Sequence, residues 1–336
     1  MPLFGREKTP RGGGNEAFWA WWASAKDRVA SGIEDGSVQD LVTEISAHVD
    51  ALHPQLAWEL SKGSSSRHAF CLSPEGNAEV RPSALEWLAA APAPDPVWEY
   101  HASRQAGNPG LLDIGNGPVD LTEMRAIASW DEGRELASLR LWNPAFATLS
   151  TSAAMQIAFL FLDNLLGEDD VERWIGPIET SQAAFAGRTP GELKDEIGRR
   201  AAAATRDHWI LAQRTDRQGN RAVVSANAAL KRIDLPFASS HLEVSLGFGT
   251  LQLAGRGDDR SLDDAEDELI AELEKCGTTF AGRVTEAKKR TLHFVAADPQ
   301  RSAAIARTWS KEHPAYSARV EHRPDPKWEF RAQLLG

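Results

Sequence analysis

Cysteine is scarce in this 336-residue chain, which contains only Cys71 and Cys276. The two are far apart in sequence and neither belongs to a C-x-x-C pair, which excludes a zinc ribbon and a thioredoxin-type redox motif. Cys71 lies in the apolar run Ala-Phe-Cys-Leu, and Cys276 ends an apolar helical stripe. Because a reactive thiol needs an activating neighbour, we expect both side chains to be structural.

Positive charge is also in deficit. Lys and Arg number 37 against 48 Asp and Glu, which leaves a net charge of −11. Proteins that bind the phosphate backbone of nucleic acids gain much of their affinity from basic side chains. The composition therefore predicts no nucleic-acid partner. The hydrophobic content of 42% and the charged content of 25% are typical of a globular protein.

Long hydrophobic runs are missing too. The most apolar window, 153–166, contains Gln156, Asp163 and Asn164 and is too short to span a bilayer. The first residues are polar and glycine-rich, and they lack the apolar core of a signal peptide. These features predict a cytoplasmic protein with no membrane partner.

Short motifs of known chemistry are absent as well. The nine histidines show no H-E-x-x-H spacing, and Gly247-Phe-Gly249 lacks the third glycine of a dinucleotide-binding loop. Neither the phosphate-binding loop G-x-x-x-x-G-K-[ST] nor the nucleophile motif G-x-S-x-G occurs. We therefore predict no metal, no cofactor and no catalytic residue. An enzyme assembled from separated residues would leave no such motif and stays an alternative.

Tryptophan, by contrast, is abundant, with 12 residues in the chain. The stretch NEAFWAWWAS near the start has helical spacing that places Phe18 and Trp22 on one core-facing stripe. One helix face cannot bury three indoles equally, so Trp19 is expected to remain partly exposed or to pack on another element. Trp19 and Trp328, near the end, are the candidates for exposure. Indoles are enriched in interface hot spots, and we predict that Trp19, Trp21 and Trp328 contact a partner.

Runs of helices and hairpins, without regular alternation of strand and helix, indicate an α+β fold. A hairpin is expected within 55–72, and the apolar segment 151–166 is expected to form a buried central helix. The capping-box sequence Thr189-Pro-Gly-Glu192 opens an alanine-rich helix that we interpret as a connector. The predicted divisions are a disordered tail (1–14), an N-terminal α+β domain (15–185), the connector helix (186–205) and a C-terminal domain (206–336).

The C-terminal domain is predicted to begin with a hairpin over 209–229. Its remaining elements follow the order β-α-β-β-α-β, which is the ferredoxin-like arrangement. The strands are expected at 242–248, 279–285, 291–296 and 317–322, and the helices at 261–276 and 299–312. The alternating segment 328–334 is predicted to add an edge strand.

Two groups of acidic residues attract attention. Asp163 lies within the apolar run Phe-Leu-Phe-Leu-Asp-Asn-Leu-Leu, where a carboxylate is costly unless a donor or an arginine meets it. It is predicted to be a buried acid, either a structural anchor or a general base with a perturbed pKa. The acidic run from Asp258 to Glu268 is interpreted as the solvated start of a helix, where the helix dipole favours carboxylates.

Four stretches of the second half carry a resemblance to a known family. They are LDDAEDEL from Leu262, FAGRVT from Phe280, TLHFV from Thr291 and PDPKWEF from Pro324. Over roughly 205–336 the chain resembles the bacterial domain of unknown function 695 family, with Gly282, Arg283 and Trp328 at its motif positions. The tyrosine typical of that family after the last tryptophan is here Phe330. In outline this half is also similar to the B-type inhibitors of ribonuclease E, which bind a partner and catalyse nothing.

These observations favour a non-catalytic module that binds or regulates another macromolecule, with a protein as the expected partner. One alternative is an enzyme, hydrolase-like, that uses Asp163 with a histidine such as His101. Another is a small-ligand sensor with a pocket between its domains. The oligomeric state and the identity of the partner do not follow from the sequence.

Overall fold

The computed structural model of the chain describes residues 13–113, 117–205, 207–215, 219, 221–248, 260–286 and 288–335. Most of the predicted tail (1–14), the acidic pair Asp258 and Asp259, and most of the predicted turn at 216–220 lie outside these residues. Helices and small sheets follow one another along the described ranges, which confirms the α+β class. No described helix combines the length and the apolarity needed to cross a bilayer.

The helices and strands have the following bounds. The helices are α1 (Gly13–Asp35), α2 (Val42–Leu52), α3 (Arg81–Ala89), α4 (Thr151–Leu166), α5 (Glu168–Trp174), α6 (Pro190–Ala203), α7 (Arg260–Glu274), α8 (Pro299–Glu312) and α9 (Phe330–Leu335). The strands are β1 (Ala57–Lys62), β2 (His68–Ser73), β3 (Trp98–His101), β4 (Leu111–Asp113), β5 (Pro118–Asp120), β6 (Arg125–Asp131), β7 (Leu136–Trp142), β8 (Ile175–Ser181), β9 (Trp209–Thr215), β10 (Arg221–Asn227), β11 (Ser240–Gly247), β12 (Thr279–Glu286), β13 (Lys289–Ala296) and β14 (Arg319–Pro324).

The chain divides into two compact units. Unit 1 joins the described part of Met1–Gly110 to Gln156–Glu172, and unit 2 joins Leu111–Met155 to Arg173–Gly336. These bounds differ from the predicted ones because the chain passes between the units three times, whereas the prediction assumed uninterrupted segments. As a statement about domains, the predicted division at 186–205 stays a prediction.

Unit 1 is built around a three-stranded sheet with the order β1-β2-β3, in which β1 and β2 form the predicted hairpin. Successive side chains of a strand point to opposite faces, and one face of this sheet carries aromatic residues. Trp22 of α1 contacts the rings of Phe70 and Trp98, both at 4.9 Å between centroids. Phe18 and Trp22 are fully buried, which confirms the predicted helical stripe.

The helix α4 has two kinds of side. Within the part of α4 that belongs to unit 1, Phe161, Leu162 and Leu165 are buried, whereas Phe159 and Leu160 are exposed.

In unit 2, a smaller sheet has the order β6-β7-β8. The predicted capping box at the start of α6 is confirmed, because the Thr189 hydroxyl accepts from the Glu192 N–H and the Glu192 carboxylate accepts from the Thr189 N–H.

The second sheet of unit 2 has six antiparallel strands in the order β14-β11-β13-β12-β10-β9. Its first four strands follow the order that the predicted β-α-β-β-α-β arrangement requires, which is consistent with the ferredoxin-like prediction. The hairpin β9–β10 extends the sheet beyond them. One face packs on α7 and α8 through Leu242, Phe294, Leu269, Trp309 and their neighbours. Part of the other face is covered by α9 and the residues before it.

Candidate functional site

Trp19 and Trp21 are partly buried, and both indoles bond inside unit 1. Trp19 Nε1 donates to the Trp87 carbonyl at 3.0 Å, and the two rings stack at 4.8 Å. Trp21 Nε1 donates to Glu44 Oε1 at 2.8 Å, and its ring stacks on His48 at 4.0 Å. The aromatic run near the start of the chain therefore serves mainly the core. Its role in partner binding stays a prediction.

Trp328 is 3% exposed, so the prediction that it remains at the surface is wrong. Its Nε1 donates to the Ala238 carbonyl at 2.8 Å, and Asp325 accepts the N–H groups of Glu329 and Phe330. Trp328 has a φ of 56°, which breaks an extended backbone. The segment predicted as an edge strand is therefore a turn followed by α9, and the Asp-Pro-x-Trp motif is the turn that seats the indole in the core.

Gly282 and Arg283, the other motif positions, both serve the architecture of the sheet. Gly282 has a φ of +156° at a bulge, and a Cβ there would lie 2.6 Å from the Ser225 carbonyl oxygen. Only glycine fits this position without a shift of the neighbouring strand. Arg283 Nη1 donates to Glu266 of α7 at 2.7 Å, and Arg290 Nη1 donates to the other oxygen at 2.8 Å.

The prediction that the acidic start of α7 is solvated is therefore wrong for Glu266. Glu266 is buried because arginines from β12 and β13 reach it from the sheet. Its neighbour Asp263 is exposed and also meets Arg290, at 2.6 Å. The helical periodicity could have placed Glu266 beside Ala265 and Leu269 on the inner side, but the arginines that make burial tolerable come from distant strands.

Asp163 is largely buried, with 18% of its side chain exposed. Burial raises the pKa of its carboxyl to about 6, repulsion by Glu168 adds to this, and Arg104 opposes it from 3.6 Å. His101, the proposed partner, has its Nε2 at 3.0 Å from Glu99 Oε1. Among the described contacts, the acid and the histidine are thus held by different partners, and the enzyme that would use both stays a prediction.

The surroundings of Asp163 contain several further carboxylates. Arg104 already contacts Glu59 at 3.2 Å and Glu75 at 3.1 Å. The buried Glu168 accepts bonds from Ser73 Oγ at 2.7 Å and from the Gly76 N–H at 2.9 Å. Asp163, Glu59 and Glu75 therefore share the Arg104 guanidinium, and Glu168 also lies 3.8 Å from Arg81. Whether Asp163 is an anchor or a base stays a prediction. Burial also raises the pKa of the nearby Cys71 thiol far above its usual range, so that thiol stays protonated.

A histidine pair in unit 2 is the cluster that the sequence motifs missed. His241 Nε2 and His293 Nδ1 are 3.0 Å apart, and a carboxylate oxygen of Glu243 joins them so that all three atoms lie within 4.8 Å of one another. Burial lowers the pKa of His241 to about 3 and that of His293 to about 4, with a smaller contribution from the positive charge of Arg323. Both rings are therefore neutral at neutral pH.

The signal for this cluster is weak in the sequence. His241 and Glu243 have the spacing of two that puts side chains on one face of a strand. Their partner His293 lies 52 residues from His241, and only the pairing of β11 with β13 sets it opposite Glu243. A search for closely spaced ligands could not find the third residue.

The two edges of the six-stranded sheet differ in character. The edge strand β14 carries Arg319, Glu321 and Arg323 on alternate positions. The opposite edge strand, β9, exposes Leu211 at 76% and Trp209 at 41%. Trp209 stacks on Phe280 at 5.5 Å, so this apolar edge is held in place by the sheet. Charged edge strands resist pairing with other chains, and apolar ones invite it.

The fold and these clusters define an α+β chain whose second unit combines a β-α-β-β-α-β sheet with an added hairpin. Residues 217–335 match the model of a family described as "Family of unknown function (DUF695)". The match covers about a third of the chain and confirms the family resemblance within that range; the likeness to ribonuclease E inhibitors and the bacterial source stay predictions. No curated protein and no solved structure matches the chain.

Proposed function

We propose that this protein acts by binding a partner protein without chemistry of its own, and that the partner pairs with the edge strand β9. The observation that carries the proposal is the exposure of Leu211 and Trp209 on an edge of the sheet. An edge strand offers unpaired backbone groups on its outer side, to which an extended peptide can add as a further strand. The expected partner segment is therefore extended, with apolar residues at alternate positions.

The contrast between the two edges supports this surface over others. Natural sheets protect their edges with charged side chains, as β14 does with its arginines and glutamate. The charged side chain of β9, Arg214, is only partly exposed and donates to the Leu334 carbonyl at 2.6 Å. The exposed apolar positions of β9 are therefore a liability unless another chain covers them. Trp209 is already ordered by its contact with Phe280, so little side-chain freedom would be lost when a partner binds.

The test compares two leucines that are almost equally exposed. Leu211→Lys places a charge on β9, and Leu111→Lys makes the same change on β4, where the leucine is 74% exposed. Wild type and both variants, checked for folding by circular dichroism, are used to capture partners from a lysate of the native host. We expect a partner to bind the wild type and Leu111→Lys and to be lost from Leu211→Lys.

Two results would contradict the proposal. If Leu211→Lys retains the partner, the partner does not use β9. If the wild type captures no specific protein, binding as the function is refuted. Light scattering on the same samples provides a further distinction, because a wild-type dimer that dissociates in Leu211→Lys would assign the edge to a second copy of this chain.

A further inference from the structure

We propose that His241, Glu243 and His293 bind a divalent transition-metal ion on the sheet face opposite α7 and α8. This site is separate from the β9 edge, so neither proposal depends on the other. Strand pairing brings the three residues together. His241 and Glu243 lie two positions apart on β11, and the register sets Glu243 directly opposite His293 of β13. Their ligand atoms all lie within 4.8 Å of one another.

The distance between the facing nitrogens of the two imidazoles lies in the range that a shared ion requires. Metal–nitrogen bonds of about 2.0–2.1 Å, in tetrahedral or octahedral geometry, place two bound nitrogens roughly 2.8–3.4 Å apart. The observed separation between His241 Nε2 and His293 Nδ1 is 3.0 Å. Without an ion, one of these nitrogens must carry a hydrogen that the other accepts. An ion would take the place of that hydrogen once both rings turn so that their lone pairs converge on it.

The donor set indicates which metals fit. Two neutral imidazole nitrogens and one carboxylate suit zinc, cobalt, nickel or iron, whereas magnesium and calcium prefer oxygen ligands alone. Three protein ligands also leave at least one coordination position for water or another small molecule, as in zinc sites that are not closed. The chemistry of the donors therefore favours a transition metal.

The neighbours of the cluster hold its ligands in place. Phe330 of α9 stacks on the His241 ring at 4.3 Å with an interplanar angle of 2°. Ser245 Oγ donates to Glu243 Oε1 at 3.3 Å. Groups that orient metal ligands in this way typically matter for affinity. On β14, Glu321 lies opposite Glu243 and adds negative charge, whereas Arg323 lies opposite His241 and works against a cation.

The test uses the untagged full chain, because an affinity tag of histidines would itself bind metal. After chelation and desalting, cobalt(II) is added and its visible absorption is followed, and zinc(II) is then added in competition. We expect one ion per chain. Glu243→Gln and His293→Gln should each weaken the binding at least tenfold. The control is His322→Gln, which removes a histidine at a β14 position opposite Leu242, on the other face of the sheet.

Several results would overturn the proposal. They are the absence of stoichiometric binding by the wild type, equal affinities in wild type and Glu243→Gln, and an equal loss in the His322→Gln control. Because His293 is buried and its replacement can disturb the fold, X-ray absorption of the metal-loaded wild type gives an independent readout. Scattering from two imidazoles is expected, and a first shell without imidazole would refute the assignment.

Discussion

Replacement of Asp163 by asparagine should stabilise unit 1 at neutral pH and have little effect in acid. The pKa of this carboxyl is raised from 3.8 to about 6 in the folded chain. Between these values the unfolded chain releases the proton while the folded chain keeps it. Stability contributed by the protonated acid is therefore fully present below the unfolded pKa and is lost as the pH rises through the folded one. Asparagine does not titrate, so it avoids this loss.

The size of the effect follows from the shift. A difference of about two pKa units corresponds to about 3 kcal/mol, since each unit is worth roughly 1.4 kcal/mol. Asp163 retains 18% exposure, so solvent screening reduces the expected gain to roughly 1–2 kcal/mol. The loss of the contact with Arg104 costs little, because that guanidinium keeps Glu59 and Glu75.

The assay must report on unit 1 alone. Hydrogen exchange of peptides from β2, measured by mass spectrometry, compares wild type with Asp163→Asn at each pH, which cancels the intrinsic pH dependence of exchange. The gain should be absent below about pH 4, grow between about pH 4 and pH 6, and stay constant at higher pH. Asp27→Asn removes a carboxylate at an exposed position of α1 and serves as the control, for which the exchange of these peptides should stay nearly unchanged. A destabilisation that grows above about pH 6 would refute the reasoning, because it would mean that Arg104 holds the ionised form.

Two further changes test the motif positions and their neighbours in unit 2, each by urea unfolding. Gly282→Ala should lower the free energy of unfolding by at least about 2 kcal/mol, because its Cβ would meet the Ser225 carbonyl oxygen at 2.6 Å. Gly198→Ala in α6, which has open space around it, should be neutral or stabilising by up to about 1 kcal/mol. Equal effects at both sites would contradict the strain argument. Glu266→Gln should lower the free energy of unfolding by about 3 kcal/mol, because it removes a negative charge that pairs with the buried Arg290. An unchanged urea midpoint would show that Asp263 alone is enough to neutralise Arg290.

Periodicity was enough to predict the parts of the fold that depend on one element. The helical spacing of Phe18 and Trp22 predicted their burial. The order of strands and helices in unit 2 predicted a β-α-β-β-α-β arrangement, with which the strand order β14-β11-β13-β12 is consistent. The errors concern residues whose environment comes from distant parts of the chain. Trp328 alternates with its neighbours as in a strand, yet Asp325 and the Ala238 carbonyl turn it into the core.

The same reasoning explains why the site residues were harder to predict than the fold. Glu266 was interpreted as solvated together with the rest of the acidic run, because the arginines that pair with it come from β12 and β13. The histidine pair has no closely spaced motif, because strand pairing alone joins His241 to His293. A local pattern can predict which face a residue occupies but not which residue from another strand will face it.

The roles of the motif positions also decide which variants can locate a function. Gly282, Arg283 and Trp328 hold strands, helix and turn together. Their replacement would weaken any activity of unit 2 through the fold, so a loss of binding there would not identify a surface. Leu211 is exposed and Glu243 is only partly buried, and changes at these two positions leave the packed core intact. A loss confined to Leu211→Lys would therefore place the partner on β9, and a loss confined to Glu243→Gln would place the metal ion between β11 and β13.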